Sequence, residues 1–345
     1  MSLKRICVCS AQVPFVYGGT EILSEELIRQ IRKRGHLVEA VRLPLQTQPH
    51  EELLKSCLAW RMINLDFVEM DAIDLIISSR FPSYMAPHKN KIVWLNHQYR
   101  QIYDWYETPY SDFQPTSKDN EIRKAIIELD QVSFAESRRI LSQSKNVAQR
   151  LKHFNHIESE ILRAPISDQD AFKFESLDDT ILCVARLSGN KRVHLLIEAM
   201  KHVSSRFRAV IVGDGYERKR LEELASPLKG RVRFLGHISR EKVIEQYAKA
   251  GAVFYAPLDE DYGLATVEAF TAEKPVITCN DAGGVLEFVN DFTGWVVEPN
   301  PEMIGSAIEE ALTNKDLART KGREAHRSVA FLNWDYTLDR LLETL

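Results

Sequence analysis

The sequence predicts an α/β protein made of two doubly wound, parallel-sheet domains in tandem. Short apolar runs rich in β-branched residues alternate with helical periodicity along most of the chain, which is typical of parallel sheets with crossover helices. A length of 345 residues exceeds that of a usual single domain. The alternation also resumes after a polar stretch at residues 164–179, which predicts the domain boundary there.

The first half of the chain supplies the first domain, expected at residues 1–165. Its first helix, TEILSEELIRQIRKRG, has Thr20 as the expected N-cap and Gly35 as its stop. Helices are also expected between the remaining strands. The predicted strands are RICVCS, LVEAVRL, IDLIISS, KIVWLN, RILSQS and SEILRAP.

The second half repeats this plan and predicts a second domain at residues 176–330. After about residue 301 the pattern is wholly helical, and we expect the closing helix at residues 331–345 to pack back on the first domain. The predicted strands of this half are TILCVARL, RAVIVGDG, VRFLGHI, AVFYAPL, KPVITCN and GWVVEP.

Composition excludes several classes of protein. With 45 Lys and Arg against 49 Asp and Glu, the net charge of -4 argues against a nucleic-acid binder that works through bulk charge. The 5 cysteines include no CxxC pair, which argues against a disulfide framework or a zinc site. No export signal or bilayer-spanning apolar run is recognisable, so we expect a cytoplasmic protein.

One basic cluster stands out at the end of the first helix. Arg29, Arg32, Lys33 and Arg34 fall together in RQIRKRGH. Cations favour a helix C-terminus, so this cluster is typical of a solvated helix end. Contact with anionic lipid heads is the alternative, and the sequence leaves both open.

Glycines join the first strand to the first helix. Gly18 and Gly19 would let backbone N–H groups approach an anion at the helix N-terminus, which favours a phosphate. A tight turn alone would also explain them. The segment is neither the dinucleotide fingerprint nor a P-loop, which argues against dehydrogenase or kinase chemistry.

Two cations follow the first strand of the second domain. Arg186 ends ILCVAR and Lys191 precedes the next helix, so an arginine fork and a lysine charge could converge on a diphosphate. Isolated surface cations are the alternative. Gly213 and Gly215 form a second glycine turn after the next strand, either at the same site or as a simple connector.

The stretch EDYGLATVEA combines a helix N-terminus with two carboxylates. Gly263 and Leu264 begin the expected helix, whose free N–H groups can hold an anion. Glu260 precedes it, and Glu268 lies four residues inside, about 6 Å along the axis. Two acceptors beside an anion site suit a nucleotide sugar, whose sugar and ribose hydroxyls need acceptors on either side of the diphosphate.

The same stretch resembles the E-x-F-G-x-x-x-x-E-A signature of the retaining family-4 glycosyltransferases. The resemblance covers most of the chain in order, through YGGTE, ARLSGNKRVHLLIEAM, VIVGDGYERKRLEEL, VRFLGHIS, EDYGLATVEA and AGGVLEFVNDFTGWVVEP. It implies the GT-B fold, in which two Rossmann-like domains face a central cleft. The first domain would then serve the acceptor side and the second the nucleotide-sugar donor.

The resemblance implies a role for each charged candidate. Arg186 and Lys191 would grip the donor diphosphate. Glu268 would bind the ribose, and Glu260 the transferred sugar. No residue is implied as a nucleophile, since the departing phosphate would help to deprotonate the acceptor on the same face.

Other positions follow the family less closely. Gly19 would lie against the phosphates or the sugar, and the base would sit near His237. Tyr262 replaces the family's common phenylalanine. Ala185 and Arg192 stand where glycines are usual in the family.

His97 ends the strand KIVWLN and resembles the family histidine near the reacting sugar. A structural histidine is the alternative. The segment behind it is rich in aromatic residues, which could stack on an acceptor sugar or pack within an ordered loop. These residues are Tyr99, Tyr103, Trp105, Tyr106 and Tyr110.

The resulting hypothesis is a retaining glycosyltransferase without a metal or other cofactor. The donor would be a UDP- or GDP-sugar, and the acceptor a saccharide or lipid-linked saccharide of bacterial surface polysaccharide or lipopolysaccharide. Catalysis would be mainly electrostatic and positional. Two alternatives stay open: a nucleotide-sugar epimerase of the same architecture, and a non-catalytic two-domain ligand-binding protein.

Overall fold

The structure, a computed structural model, describes residues 3–16 and 18–343. It divides into two units: the first combines the chain up to Ser167 with the residues from Asn333 onward, and the second is Asp168–Leu332. Parts of three sequence predictions lie outside the described residues. They are the start of the first domain at 1–2, Tyr17 of the YGGTE block, and the end of the closing helix at 344–345.

The first unit is built on a six-stranded parallel sheet in which all six predicted strands are confirmed. Its elements are β1 (Arg5–Gln12), α1 (Gly19–Lys33), β2 (Leu37–Pro44), α2 (His50–Met62), β3 (Phe67–Val68), β4 (Asp71–Ala72), β5 (Leu75–Arg80), β6 (Lys91–His97), α3 (Ser117–Ala135), β7 (Arg139–Ser142), α4 (Lys145–Asn155) and β8 (Glu160–Ile161). The strand order is β2-β1-β5-β6-β7-β8. The short antiparallel hairpin β3–β4 was not predicted from the sequence.

The first helix shows how the sequence fixes an element. Leu23, Leu27 and Ile31 recur every four residues and are buried. The predicted N-cap Thr20 is wrong, because the cap is Gly18 and Thr20 lies inside the first turn. Gly35 follows the helix at a φ of 85°, a backbone conformation that favours glycine and agrees with the predicted stop.

The second unit has its own six-stranded parallel sheet, and all six predicted strands are again present. Its elements are β9 (Thr180–Val184), α5 (Val193–Ala199), β10 (Arg208–Val212), α6 (Arg218–Ala225), β11 (Val232–Gly236), α7 (Arg240–Lys249), β12 (Ala252–Phe254), α8 (Leu264–Thr271), β13 (Val276–Cys279), β14 (Gly294–Val297), α9 (Pro301–Thr313) and α10 (Lys315–Val329). The strand order is β11-β10-β9-β12-β13-β14.

The closing helix α11 (Trp334–Leu342) belongs to the first unit. The Trp334 indole packs edge-on against Trp94, with 6.2 Å between ring centroids, and its Nε1 donates to the Ile166 carbonyl at 3.0 Å. Arg34 adds an ion pair to Asp335 at 3.2 Å. These contacts tie the last described residues to the sheet of the first unit.

Candidate functional site

The second sheet reverses its strand order between β9 and β12. Strands β10 and β11 lie on one side of β9, whereas β13 and β14 lie beyond β12. All pairings are parallel, so every carboxyl end meets the same edge. Ligands of open α/β sheets bind at such a reversal. The loops after β9 and β12 are therefore expected to form a ligand-binding site.

An ion pair bridges these two loops. Lys191 follows β9 and Glu260 follows β12, and the Lys191 ammonium donates to the Glu260 carboxylate. Their side chains are only 19% and 14% exposed. The same ammonium lies 3.3 Å from the Tyr255 hydroxyl, and burial followed by the charge of Glu260 raises the Tyr255 pKa well above its usual value. Two predicted site residues are thus in direct contact.

Arg186 lies exposed on the same loop as Lys191. Its guanidinium makes no hydrogen bond or ion pair to any described side chain. On the neighbouring turn, Tyr216 is 79% exposed, and its hydroxyl accepts from the Gly189 amide at 3.0 Å. Arg186 therefore retains its full donor capacity for an anion at this edge.

Arg192, next to Lys191, has a structural task that sequence reasoning missed. Its guanidinium forms a two-pronged pair with Asp281 at 2.6 and 2.7 Å. It also donates to the carbonyls of Ala256 and Pro257 at 2.9 and 3.0 Å. It therefore joins the loops after β9, β12 and β13. Its φ of 49° is left-handed, which accounts for the glycine usual at this position in the family it resembles.

Helix α8 begins at the predicted glycine. Gly263 has a φ of 89°, and an added Cβ would lie 2.9 Å from Val285 Cγ2, so a larger residue would be strained and crowded. Among the described residues, no side chain caps this N-terminus. Leu264 is the first helical residue, and Tyr262 is buried edge-on against Phe288 at 5.4 Å. Any ligand contact of Tyr262 would therefore come from its main chain.

Glu268 lies in α8 and has a cationic partner that was not predicted. Arg240, at the start of α7, donates to its carboxylate at 2.6 Å. The buried Tyr247 hydroxyl donates to the Ala265 carbonyl at 3.4 Å, and burial followed by the nearby Glu268 charge raises the Tyr247 pKa. Arg240 also lies 3.6 Å from Asp168. The Glu268 side chain is held in one place and is 13% exposed.

The remaining predictions of this unit fall on the same edge. Gly213 has a φ of 127°, and a Cβ there would lie 2.0 Å from the Ala185 carbonyl oxygen, so this glycine is required by close approach of two strand ends. His237 is exposed just after β11. The pKa of nearby Asp214 is lowered by a hydrogen bond from the Gly215 amide, by Arg218 and, to a smaller extent, by His237. Within the part of the chain described, no group of three or more acidic, histidine or cysteine side chains could hold a metal ion.

The first sheet has its own reversal, between β1 and β5, and an ion pair bridges it too. Arg80, at the end of β5, donates to Glu21 of α1 at 2.7 Å. The other Glu21 oxygen accepts from the Gly18 amide at 2.9 Å. Asn96 donates to the Thr20 hydroxyl at 3.1 Å. The amide predicted to hold a phosphate beside Gly19 therefore already binds the chain's own carboxylate.

His97 ends β6 at the same edge of the first sheet and is half-buried. Its Nδ1 lies 2.6 Å from the Gln98 carbonyl oxygen. Of the aromatic residues behind it, Tyr103 is buried in a hydrogen-bond network, while Tyr110 is 38% exposed. Trp105 packs against the Arg100 guanidinium at 4.2 Å. The aromatic segment is thus partly a packed loop.

The basic cluster on α1 is largely paired within the first unit. Arg29 bonds Glu26 at 2.6 Å, Arg32 donates to the Val38 carbonyl at 3.0 Å, and Arg34 bonds α11. Contact with anionic lipid stays a prediction. Within residues 3–16 and 18–343, no helix is both long and apolar enough to cross a membrane.

Known proteins share both the fold and part of the sequence. Sucrose-phosphate synthase from Thermosynechococcus elongatus superposes with a TM-score of 0.79 over 99% of this chain and 98% of its own, at 18% identity. That likeness shows the fold, and the predicted GT-B class with two Rossmann-like sheets is confirmed.

Sequence relatives match only part of this chain. An uncharacterised glycosyltransferase of Methanocaldococcus jannaschii is 32% identical over 39% of this chain and 36% of its own length. The alpha-1,3/1,6-mannosyltransferase ALG2 of Homo sapiens is 26% identical over 50% of this chain and 48% of its own. The matches thus span about half or less of these relatives.

A family match coincides with the unit that holds the Lys191–Glu260 pair. Residues 167–328 match the family described as glycosyl transferases group 1. This range covers nearly all of the second unit, Asp168–Leu332. The second unit therefore matches the group 1 glycosyl transferase family, in agreement with the resemblance found in EDYGLATVEA.

Proposed function

We propose that this protein transfers a sugar from a nucleoside-diphosphate sugar to an acceptor hydroxyl with retention of anomeric configuration. The observation that carries the proposal is the Lys191–Glu260 pair across the β9/β12 reversal. The loop of Lys191 also carries Arg186, whose guanidinium has no partner among the side chains that the structure describes. It combines cations for a diphosphate with an acceptor for sugar hydroxyls at one edge. The family match and the names of the relatives support the same activity.

The diphosphate would bind Arg186, Lys191 and the N-terminus of α8. Both phosphates carry negative charge, and an uncapped helix N-terminus offers amide donors to such a group. When the phosphate takes up the lysine charge, Glu260 is released to accept from the transferred sugar. The two side chains thus exchange their mutual bond for bonds to the two halves of the donor.

The nucleoside would be held by Glu268, with the base near His237. The Glu268 carboxylate is held by Arg240 at 2.6 Å, so it is preorganised to accept from the two ribose hydroxyls. The first unit would supply His97 and the partly exposed aromatic segment for sugar recognition. Charge developing on the departing diphosphate would be stabilised by the fixed cations, and this makes metal-independence part of the proposal.

The acceptor that we propose is a saccharide or lipid-linked saccharide of bacterial surface polysaccharide assembly. A lipid-linked acceptor would bring the protein to the inner face of an anionic membrane, where Lys33 of the basic cluster could contribute. Co-sedimentation with phosphatidylglycerol vesicles checks this part alone. Binding that is unchanged in Lys33→Gln would remove the basic cluster from the proposal.

The donor site is tested by thermal stabilisation with UDP, GDP and their sugars in EDTA. One donor family should raise the wild-type Tm, less so in Lys191→Ala and Glu268→Ala. Turnover of that donor should require an acceptor, and NMR of the product should show the donor's anomeric configuration. Turnover without acceptor would favour an epimerase, while binding without turnover on any saccharide would favour a ligand-binding protein.

A further inference from the structure

The first unit contains a fully buried acid that the proposed site does not use. Asp130 of α3 is 0% exposed, and its two carboxylate oxygens accept from the Tyr84 and Tyr103 hydroxyls at 3.0 and 2.8 Å. Burial raises its pKa to about 7, although both tyrosine hydrogen bonds oppose the shift. Cys57 of α2 is the other titratable group that faces it. Burying a carboxyl group costs free energy unless the group is hydrogen-bonded, and a buried network of hydrogen bonds holds its members in one arrangement.

A one-way chain of hydrogen bonds leads from this acid toward the edge of the sheet. The Asn155 amide donates to the Tyr103 hydroxyl oxygen at 3.1 Å, and the Gln98 amide donates to Asn155 Oδ1 at 2.6 Å. Gln98 and Asn155 are 2% and 3% exposed. Every donor points toward Asp130, and an ionised carboxylate can only accept, so the acid sets the direction of the whole chain.

The chain ends on the residue next to His97. The Gln98 carbonyl oxygen lies 2.6 Å from His97 Nδ1, and a carbonyl can only accept. The Nδ1 atom therefore carries the proton, which leaves the lone pair of the neutral ring on Nε2. The buried side chain of Gln98 holds the peptide on which this tautomer depends.

We propose that Asp130 is a positioning residue: through Tyr103, Asn155 and Gln98 it keeps His97 protonated at Nδ1, so that Nε2 accepts from a hydroxyl of the sugar. The identity of the ligand rests on the proposed function, whereas the tautomer does not. A protonated Asp130 donates from one oxygen, and when that oxygen is the one facing Tyr103, this tyrosine loses its acceptor and the chain loses its fixed direction. Arg123 is a charged group near Tyr103.

Two tyrosines provide a matched test. Tyr84→Phe and Tyr103→Phe each remove one hydrogen bond to Asp130, but only Tyr103 lies between the acid and Gln98. In the full chain labelled with ¹⁵N-histidine, with His97→Gln to assign the signal, wild type and Tyr84→Phe should show the Nδ1-protonated ring at pH 8. Tyr103→Phe and Asp130→Asn should show mixed tautomers. An unchanged His97 signal in a folded Tyr103→Phe would overturn the proposal.

Gln98→Met provides a second variant in case Tyr103→Phe fails to fold. It removes the last link and leaves the Asp130 cluster intact, and it should also mix the His97 tautomers. A wild-type His97 signal in this variant would equally overturn the proposal.

Turnover separates the role in the reaction from the effect on the tautomer. Tyr103→Phe should lower kcat about 10- to 100-fold, as small misplacements of a reacting group do, without weakening nucleoside diphosphate binding. Tyr84→Phe should stay near wild type, and Asp130→Asn should lose the pH dependence of kcat near pH 7. A mixed tautomer with unchanged kcat would show that His97 Nε2 is not used. Should the chain prove not to be a transferase, the NMR result would still decide the tautomer.

Discussion

The two sheets each place an ion pair across the point where their strand order reverses, but the pairs differ in what surrounds them. In the first unit, Glu21 both pairs with Arg80 and accepts from the Gly18 amide, so the chain's own carboxylate occupies the helix N-terminus. In the second unit, Glu260 pairs with Lys191, while helix α8 has no side-chain cap.

This difference indicates where an anion can bind. The first reversal is internally satisfied, and an incoming phosphate would have to displace a carboxylate from an amide. The second combines Lys191 with Arg186 and the N-terminus of α8, and within the described part of the chain no side chain pairs with this arginine or caps this helix. A reversal of strand order in a parallel sheet therefore gives a structural junction in one unit and a candidate diphosphate site in the other, through the choice of a few side chains.

The largest effect is expected from removing the second unit's lysine. Lys191→Ala should lower kcat about 10²- to 10³-fold, because a fixed donor to the developing phosphate charge is lost. Steady-state kinetics with the identified donor measure this. Arg80→Ala is the matched change in the first unit and should lower Tm while keeping donor affinity. Equal loss of donor affinity in both variants would contradict the distinction between the two reversals.

The pH dependence of stability should differ in sign between two buried groups, Asp130 of the first unit and Lys274 of the second. Burial raises the pKa of Asp130 to about 7, so the folded chain keeps a proton that the unfolded chain loses, and stability falls as pH rises from about 4 to 7. Burial lowers the pKa of Lys274 to about 7, so stability rises as pH increases from 7 toward 10. Within its pH range, each group changes the free energy of unfolding by about 1 kcal/mol per pH unit.

Urea unfolding of Asp130→Asn and Lys274→Met against wild type, across pH 4 to 10, checks this prediction. The first variant should lose the contribution below pH 7, and the second the contribution above it. A parallel shift of the whole curve in either variant would mean that the group does not titrate as its burial indicates.

A smaller effect is expected from the clamp beside the lysine. Arg192→Gly relieves the left-handed backbone but leaves Asp281 and two carbonyls without their partner, for a net loss of about 1–3 kcal/mol. Denaturant unfolding measures the loss. Arg192→Lys keeps the charge without the two-pronged geometry and should recover only part of it. A stabilised glycine variant would show that strain outweighs the clamp.

The smallest effect is expected at the first unit's helix N-terminus. Glu21→Gln keeps an acceptor for the Gly18 amide but loses the charge opposite Arg80, which should cost about 0.5–1 kcal/mol. Thermal unfolding measures it, and donor affinity should not change. Tighter donor binding in this variant would indicate that Glu21 competes with a phosphate at Gly18.

Much of the fold could be predicted because buried parallel strands have a strong local signal. Strand ends also located the loops that carry Arg186, Lys191 and Glu260. The N-cap was misplaced because Gly18 has no side chain to mark it, and Thr20 is the conventional capping residue. The β3–β4 hairpin has two residues in each strand, too few for a periodic pattern.

Partners that are distant in the sequence could not be predicted. Arg192 bonds Asp281 and Glu268 bonds Arg240, and no local pattern encodes either pair. Asp130 could have been found, because Ile122, Ile126 and Asp130 recur every four residues on the buried face of α3. An acidic residue at a core position of a helical pattern therefore indicates a buried carboxyl group.

The most direct test of the account is hydrogen–deuterium exchange of the full chain with and without the nucleoside diphosphate of the preferred donor. The account predicts protection at residues 186–191 and 260–268 in wild type, lost in Lys191→Ala, with exchange at residues 18–24 unchanged. Protection confined to residues 18–24, or the same protection in Lys191→Ala, would contradict the claim that the second unit's reversal binds the diphosphate.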